Sequence, residues 1–444
     1  MKKKLLQLTA AVAMLVSGKV SANPYTNFTP SSEGYVWSAV KYLTPEYYEA
    51  GDPKQFHLQV GASVEYGFDA EGRNGSEKVV DPYAIFEETQ NLFPADLNTL
   101  GTATINSLVG LTNTSLLQGG TLSQVLADAQ MFSYAPKSTI SETNLNLSAR
   151  LALPTEIPGQ LEIYAAIPIK FVNAKVDWTG VNPVSSPAQP IGNLAYMSNT
   201  DTLALITGNQ DQLEIRSFAE NGQGDLVVMG SWKNHYNQTN NDALSSIGLY
   251  LQSGISFPTA KEHSVKNALA YPFGNDKAMG MPIAGMLNLN FAKNFRLGIA
   301  GNATWFFHED SKRALAISKN EGSIITNSTF LAHRSPGTLI SFNAIGEAYS
   351  EDKKYFGGVM YRYERKNADT FSSNDIGFLQ PFADAMEKYQ ERLLHEVSFR
   401  AGIDFKEASD SQFSPAISIA FKYPLKAQRR ITYKTVTIDA SINF

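Results

Sequence analysis

From Phe56 to Phe68 apolar and polar positions alternate without a break. Phe56, Leu58, Val60, Ala62, Val64, Tyr66 and Phe68 fall on one face, and His57, Gln59, Gly61, Ser63, Glu65 and Gly67 on the other. Successive strand residues point to opposite sides, so the segment predicts a strand with one greasy and one wet face. The last ten residues repeat the pattern: Val436, Ile438, Ala440, Ile442 and Phe444 are apolar, and Thr435, Thr437, Asp439, Ser441 and Asn443 are polar. Such a run arises by chance at a given site roughly once in a thousand.

Alternation of the same kind occurs near 141–153, 161–171, 244–257, 281–291, 295–307, 337–348, 355–366, 393–405 and 413–425. With 56–68 and 431–444 the count is eleven. Ala292–Asn294, Glu351–Lys354, Lys406–Gln412 and Pro154–Gln160 are short links, expected on one side. Strand directions counted back from the C-terminus then leave 161–171 and 244–257 running the same way, so an opposite strand must lie between them. Residues 225–236 supply it, with Leu226, Val228, Gly230, Trp232 and Tyr236 outward and Val227, Met229, Ser231, Lys233 and His235 inward. Twelve is an even number, as membrane barrels of bacteria require.

The expected fold is all-β: a transmembrane antiparallel up-and-down β-barrel of about twelve strands, with short periplasmic turns. The opposite connections, Asp69–Ile140, Asp177–Asp225, Pro258–Gly280, Glu309–Ser335 and Lys366–Arg392, are long extracellular loops. Apolar spacings of three and four (Ile105, Leu108 and Leu111; Leu122, Val125 and Leu126) predict short loop helices, and Ala383–Leu393 another. Aromatic residues bracket the short turns: Phe291 with Phe295, Tyr349 with Tyr355, Phe405 with Phe413, and Tyr236. Rings gather at membrane interfaces, so these predict a girdle. Pro168 inside a strand predicts a bulge on the lumen side.

The N-terminus changes the compartment. Lys2, Lys3 and Lys4, an apolar stretch from Leu5 to Val16, and Val20-Ser21-Ala22 predict a cleaved export signal over 1–22. Residues 23–55, rich in aromatics, are expected to form a periplasmic tail or a plug, and 56–444 the barrel. Without Lys2, Lys3, Lys4 and Lys19 the 37 basic residues become 33 against 42 acidic ones, a balance of −9 that argues against nucleic acid as a partner. No cysteine is present, which removes disulfides and thiolate metal sites. A mean hydropathy of −0.20 suits a soluble protein and a barrel with a polar lumen equally.

Read by parity, the lumen carries Arg150, Lys170, Lys233, Arg296, Arg362, Arg400 and Lys422 against Glu65, Glu162, Glu347, Glu364, Glu396, Asp404 and Asp439. Equal numbers of each sign imply weak ion selectivity. Twelve strands give a Cα-to-Cα diameter of roughly 24 Å, about halved by inward side chains. That favours a narrow conduit over a wide sieve. Among the six histidines only His333 has a serine two residues away, Ser335, and parity points both to the lumen. No catalytic motif, cofactor motif or metal-ligand spacing is present, so no enzyme activity, cofactor or metal is expected.

The terminal strand ending on Phe444 resembles the C-terminal insertion signal of Gram-negative outer-membrane β-barrels. That resemblance implies export to the outer membrane, lipid as surroundings and the outer-membrane assembly machinery as a partner. The hairpin from Ile247 to Thr259 and Gly280 to Asn290, with its Phe257-Pro258-Thr259 corner, looks like one in outer-membrane transporters for hydrophobic or aromatic compounds. In the fatty-acid transporters an Asn-Pro-Ala motif marks the plug; here Asn23-Pro24 is followed by Tyr25. The function expected is a channel or transporter for a small-molecule class, hydrophobic compounds included. A surface scaffold with a plugged lumen is the alternative, and a barrel enzyme is less favoured.

Overall fold

A computed structural model of the chain describes residues 57–84, 90–91, 133–156, 158–180, 217–237, 244–260, 273–291, 294–316, 329–352, 354–386, 389–405 and 414–443. The export signal, the 23–55 segment, the 105–126 spacings, Phe413 and Phe444 lie outside these residues.

Twelve long strands make the wall. They are β1 (His57–Arg73), β2 (Ser133–Leu153), β3 (Gln160–Gly180), β4 (Leu226–Asn237), β5 (Leu244–Phe257) and β6 (Gly280–Phe291). Then follow β7 (Phe295–Phe306), β8 (Leu339–Tyr349), β9 (Tyr355–Lys366), β10 (Arg392–Asp404), β11 (Ser414–Gln428) and β12 (Arg430–Asn443). Each pairs antiparallel with its chain neighbours, and β12 returns to β1. Val64 lies opposite Ile438 on one edge and Leu145 on the other. The sheet is closed, so every strand has two partners and no edge is left open.

Alternation sorts the chemistry. Leu251, Ile299 and Ile419 are each more than half exposed on the outer wall, among a belt of similar residues, while Glu162, Lys170 and Arg296 are buried inside. In water such a belt would be a large apolar patch; against lipid it is matched to its surroundings. Among the described residues no helix is long and apolar enough to cross a membrane. The strands do the crossing.

Several expectations need correction. Strand pairing outlasts alternation at the outer end: β1 runs to Arg73, and β2 and β3 pair from Tyr134–Gly180 down to Leu153–Leu161. Towards the outer end the apolar positions change face, with Ile140, Val172, Ala174 and Val176 buried on the inner side, so the outward alternation stops while backbone hydrogen bonds continue. The link between β11 and β12 is a single residue, Arg429, with φ 50°; outward connections are therefore not all long. Within Glu309–Ser335 lies a hairpin, Glu309–Ala314 against Thr329–Ser335, extended by Thr370–Ser372. The helix expected at Ala383–Leu393 is α1 (Gln380–Ala385), and Leu393 belongs to β10.

In the β2–β3 ladder Pro168 stays in register with Asn146, and the irregularity lies on its other side, where Ile167 and Pro168 face three residues, Gly224 to Leu226. Pro168 sits where β3 changes partner, from β4 (up to Ala166) to the short strand Phe218–Gln223 (from Ile169). Its carbonyl accepts from Gly224 N at 2.7 Å, and its missing donor falls in the gap between partners. Tyr349 leaves the girdle. Phe295, Tyr355 and Tyr236 face outward, but Tyr349 shares the parity of Glu347, donates to its Oε2 at 2.6 Å and faces the lumen.

Candidate functional site in the barrel lumen

The lumen is built from one face of every strand, so its residues follow from register. Glu65, Arg150, Glu162, Lys170, Lys233, Arg296, Glu347, Arg362, Glu364, Glu396 and Lys422 are buried; Arg400, Asp404 and Asp439 are half-buried.

Neighbouring strands bring opposite charges together. Glu162 on β3 receives Arg150 Nη1 at 2.9 Å from β2 and Lys233 Nζ at 2.7 Å from β4. Arg296 on β7 meets Glu347 on β8 at 3.2 Å, and its guanidinium lies 4.8 Å from the Tyr349 ring centroid. Lys422 pairs with Glu65, and Glu364 with both Arg362 and Arg430. Arg400 donates to Ser418 at 3.0 Å and lies over Phe356. Removing one member of such a pair leaves a buried charge, which costs about 3–5 kcal/mol.

One stretch of the lumen wall is apolar, among buried neutral polar residues such as Gln252, Asn288 and Asn343. Val227, Met229, Tyr250, Met286, Ala300, Ile345 and Met360 form one cluster across β4 to β9, with Tyr164 and Ala284 packed against it. Near the charged wall of β1, β9, β10, β11 and β12 a cavity of about 40 Å³ is bordered by Glu65, Glu142, Arg362, Glu396, Lys422 and Arg430. Its volume suits one or a few waters.

Above the outer mouth the hairpin, Thr370–Ser372 and α1 enclose a core of Leu315, Phe330, Ala332, Phe371, Ala383 and Met386. Asp369 ties this unit to the rim. It accepts from Arg334 Nε at 2.9 Å, Arg334 Nη2 at 2.6 Å and Gly337 N at 2.8 Å, and pairs with Lys366. His333 and Ser335 belong here, not to the lumen. Pro336-Gly337 separates their strand from β8, so parity does not carry across, and His333 faces outward with its Nδ1 2.8 Å from Asp310 Oδ1. Among the described residues no cluster of ligating side chains suits a metal ion.

Sequence parity missed Glu142, Arg334, Asp369, Arg430, Asn343 and Ser398. Arg334, Asp369 and Arg430 fell in segments read as loops. Glu142, Asn343 and Ser398 were within reach, since they share parity with Arg150, Glu347 and Glu396.

No family model matches the chain, and neither does any curated protein. Solved structures do. An outer membrane channel from Pseudomonas putida F1 is 9% identical with a TM-score of 0.45, over 89% of this chain and 98% of that one. The transport unit of the Escherichia coli autotransporter AIDA-I is 8% identical with a TM-score of 0.32, over 94% and 98%. The Pseudomonas putida toluene transporter TodX is 8% identical with a TM-score of 0.28, over 96% and 95%. What identifies the molecule as an outer-membrane β-barrel is its own closed, even-numbered sheet and apolar wall.

Proposed function

We propose that the protein is an outer-membrane channel or transporter for small, largely apolar solutes. The mixed lumen carries the reading: an apolar stretch from Val227 to Met360 shares the inside of a closed barrel with ion pairs. Met229, Met286 and Met360 have unbranched, adaptable side chains that suit an apolar visitor. A diameter of roughly 24 Å, halved by side chains, limits passage to small molecules. In this reading the paired lumen charges hold the wall in shape, and the terminal strand with Phe444 directs assembly.

The scaffold alternative has one observation in its favour, the separately cored unit latched over the mouth by Asp369. Purified protein in planar bilayers decides between them. Stepwise single-channel currents, or a hydrophobic solute retained after gentle detergent extraction, are expected. Neither current nor solute would leave the scaffold. An enzyme reading would require lipid hydrolysis that disappears in Ser335→Ala.

A further inference from the structure

One row of residues crosses the lumen and changes character half way. Glu396, Arg362 and Asn343 are register neighbours on β10, β9 and β8; Ala300, Met286 and Tyr250 continue the row on β7, β6 and β5. On the polar half, Glu396 Oε1, Asn343 Nδ2 and Oδ1, Ser341 Oγ and Ser398 Oγ are buried without a hydrogen-bond partner among the described residues. Glu396 is 8% exposed and Asn343 1%. Buried polar groups are nearly always paired, because an unmade bond forfeits solvation without compensation. A patch of such atoms inside a conduit points to an occupant.

The surroundings narrow its chemistry. Glu396 borders the cavity of about 40 Å³, room for a hydroxyl group but not for a whole solute. Beside it Met360 and Ile345 continue the apolar wall that can re-pack around a larger body. The cavity is bordered by Arg362, Lys422 and Arg430 together with Glu65, Glu142 and Glu396. These charges balance, three of each sign, so a fully charged solute finds no net attraction to repay its lost hydration.

We propose that this row is a recognition site for neutral molecules bearing a hydroxyl group on an apolar body. The hydroxyl donates to Glu396 Oε1 and accepts from Asn343 Nδ2, while the body lies on the methionine wall. The site rests on the channel reading and gives it a solute class.

Cyclohexanol serves as the probe, with cyclohexanecarboxylate and cyclohexylammonium as charged comparators. Binding to the full-length protein is read by saturation-transfer NMR, and entry into the lumen by the probe's block of single-channel current in planar bilayers. Cyclohexanol should bind and enter in preference to both comparators. Glu396→Leu and Asn343→Leu should each weaken its binding about tenfold, with the migration of unheated protein on gels reporting that the barrel is intact. If Glu396→Leu does not fold, Asn343→Ala, which removes no charge, carries the test. Equal binding of all three probes, or unchanged cyclohexanol binding by a folded Asn343 variant, overturns the site and leaves water as its occupant. Binding without current keeps the site and removes the channel. Current without probe binding does the reverse.

Discussion

At the scale of single residues, Asp369 is the most consequential carboxylate outside the bilayer. Burial by itself would raise its pKa, but Arg334 and Lys366 outweigh burial and hold it well below the usual 3.8. A depressed carboxylate contributes stability above its unfolded value and loses it as pH falls. Protection factors of the Thr329–Ser335 amides, which remove the intrinsic pH dependence of exchange, should therefore stay constant down to about pH 5 and fall only under more acidic conditions. Asp369→Ala leaves Arg334 without its closest buried carboxylate, a loss of about 3–5 kcal/mol that should release the same amides at neutral pH. Unchanged exchange would mean that the outer unit stands on its apolar core alone. None of this was visible in sequence, where Arg334 and Asp369 are single charges in two separate loops.

At the scale of elements, close approach of strands places limits on substitution. A Cβ on Gly254 of β5 would stand 2.1 Å from Val228 O and 2.6 Å from Met229 Cα, both backbone atoms of β4. Backbone cannot rotate aside as a side chain can, so Gly254→Ala should cost about 1–3 kcal/mol. Urea unfolding in lipid vesicles would register it as a lower midpoint; an unchanged midpoint would mean that β4 and β5 can separate freely. Strand positions were legible because one face meets lipid and the other does not. Element ends were not. In the outer halves of β2 and β3 the apolar residues (Ile140, Val172, Ala174 and Val176) move to the inner face, and the hairpin at Glu309–Ser335 is held by backbone pairing and a small local core.

For the molecule as a whole, the closed hydrogen-bonded sheet predicts that unheated protein migrates differently from boiled protein on SDS gels. Identical migration would contradict closure. Ion pairing predicts little preference for either sign of ion. The lumen list of sequence parity is balanced, and Glu162, Glu347, Glu364 and Glu65 each sit against a cation. In a salt gradient across a planar bilayer the reversal potential should stay near zero. A potential close to that of one ion alone would mean that the paired charges do not govern permeation.

Period-two alternation located eleven strands and the face of each that meets lipid, because the bilayer imposes one chemistry on every outward residue; link lengths then gave the strand directions. The parity of the count even required β4 before its own pattern was considered. What only tertiary structure decided is which inward residues meet. Glu396, Arg362 and Asn343 come from three strands, and their adjacency depends on register. Register is fixed by the ladder and its closure, and linear spacing does not encode it. Tyr349 and His333 mark the same boundary: one belongs inside and the other outside because strand ends and breaks reset the parity that alternation alone extends.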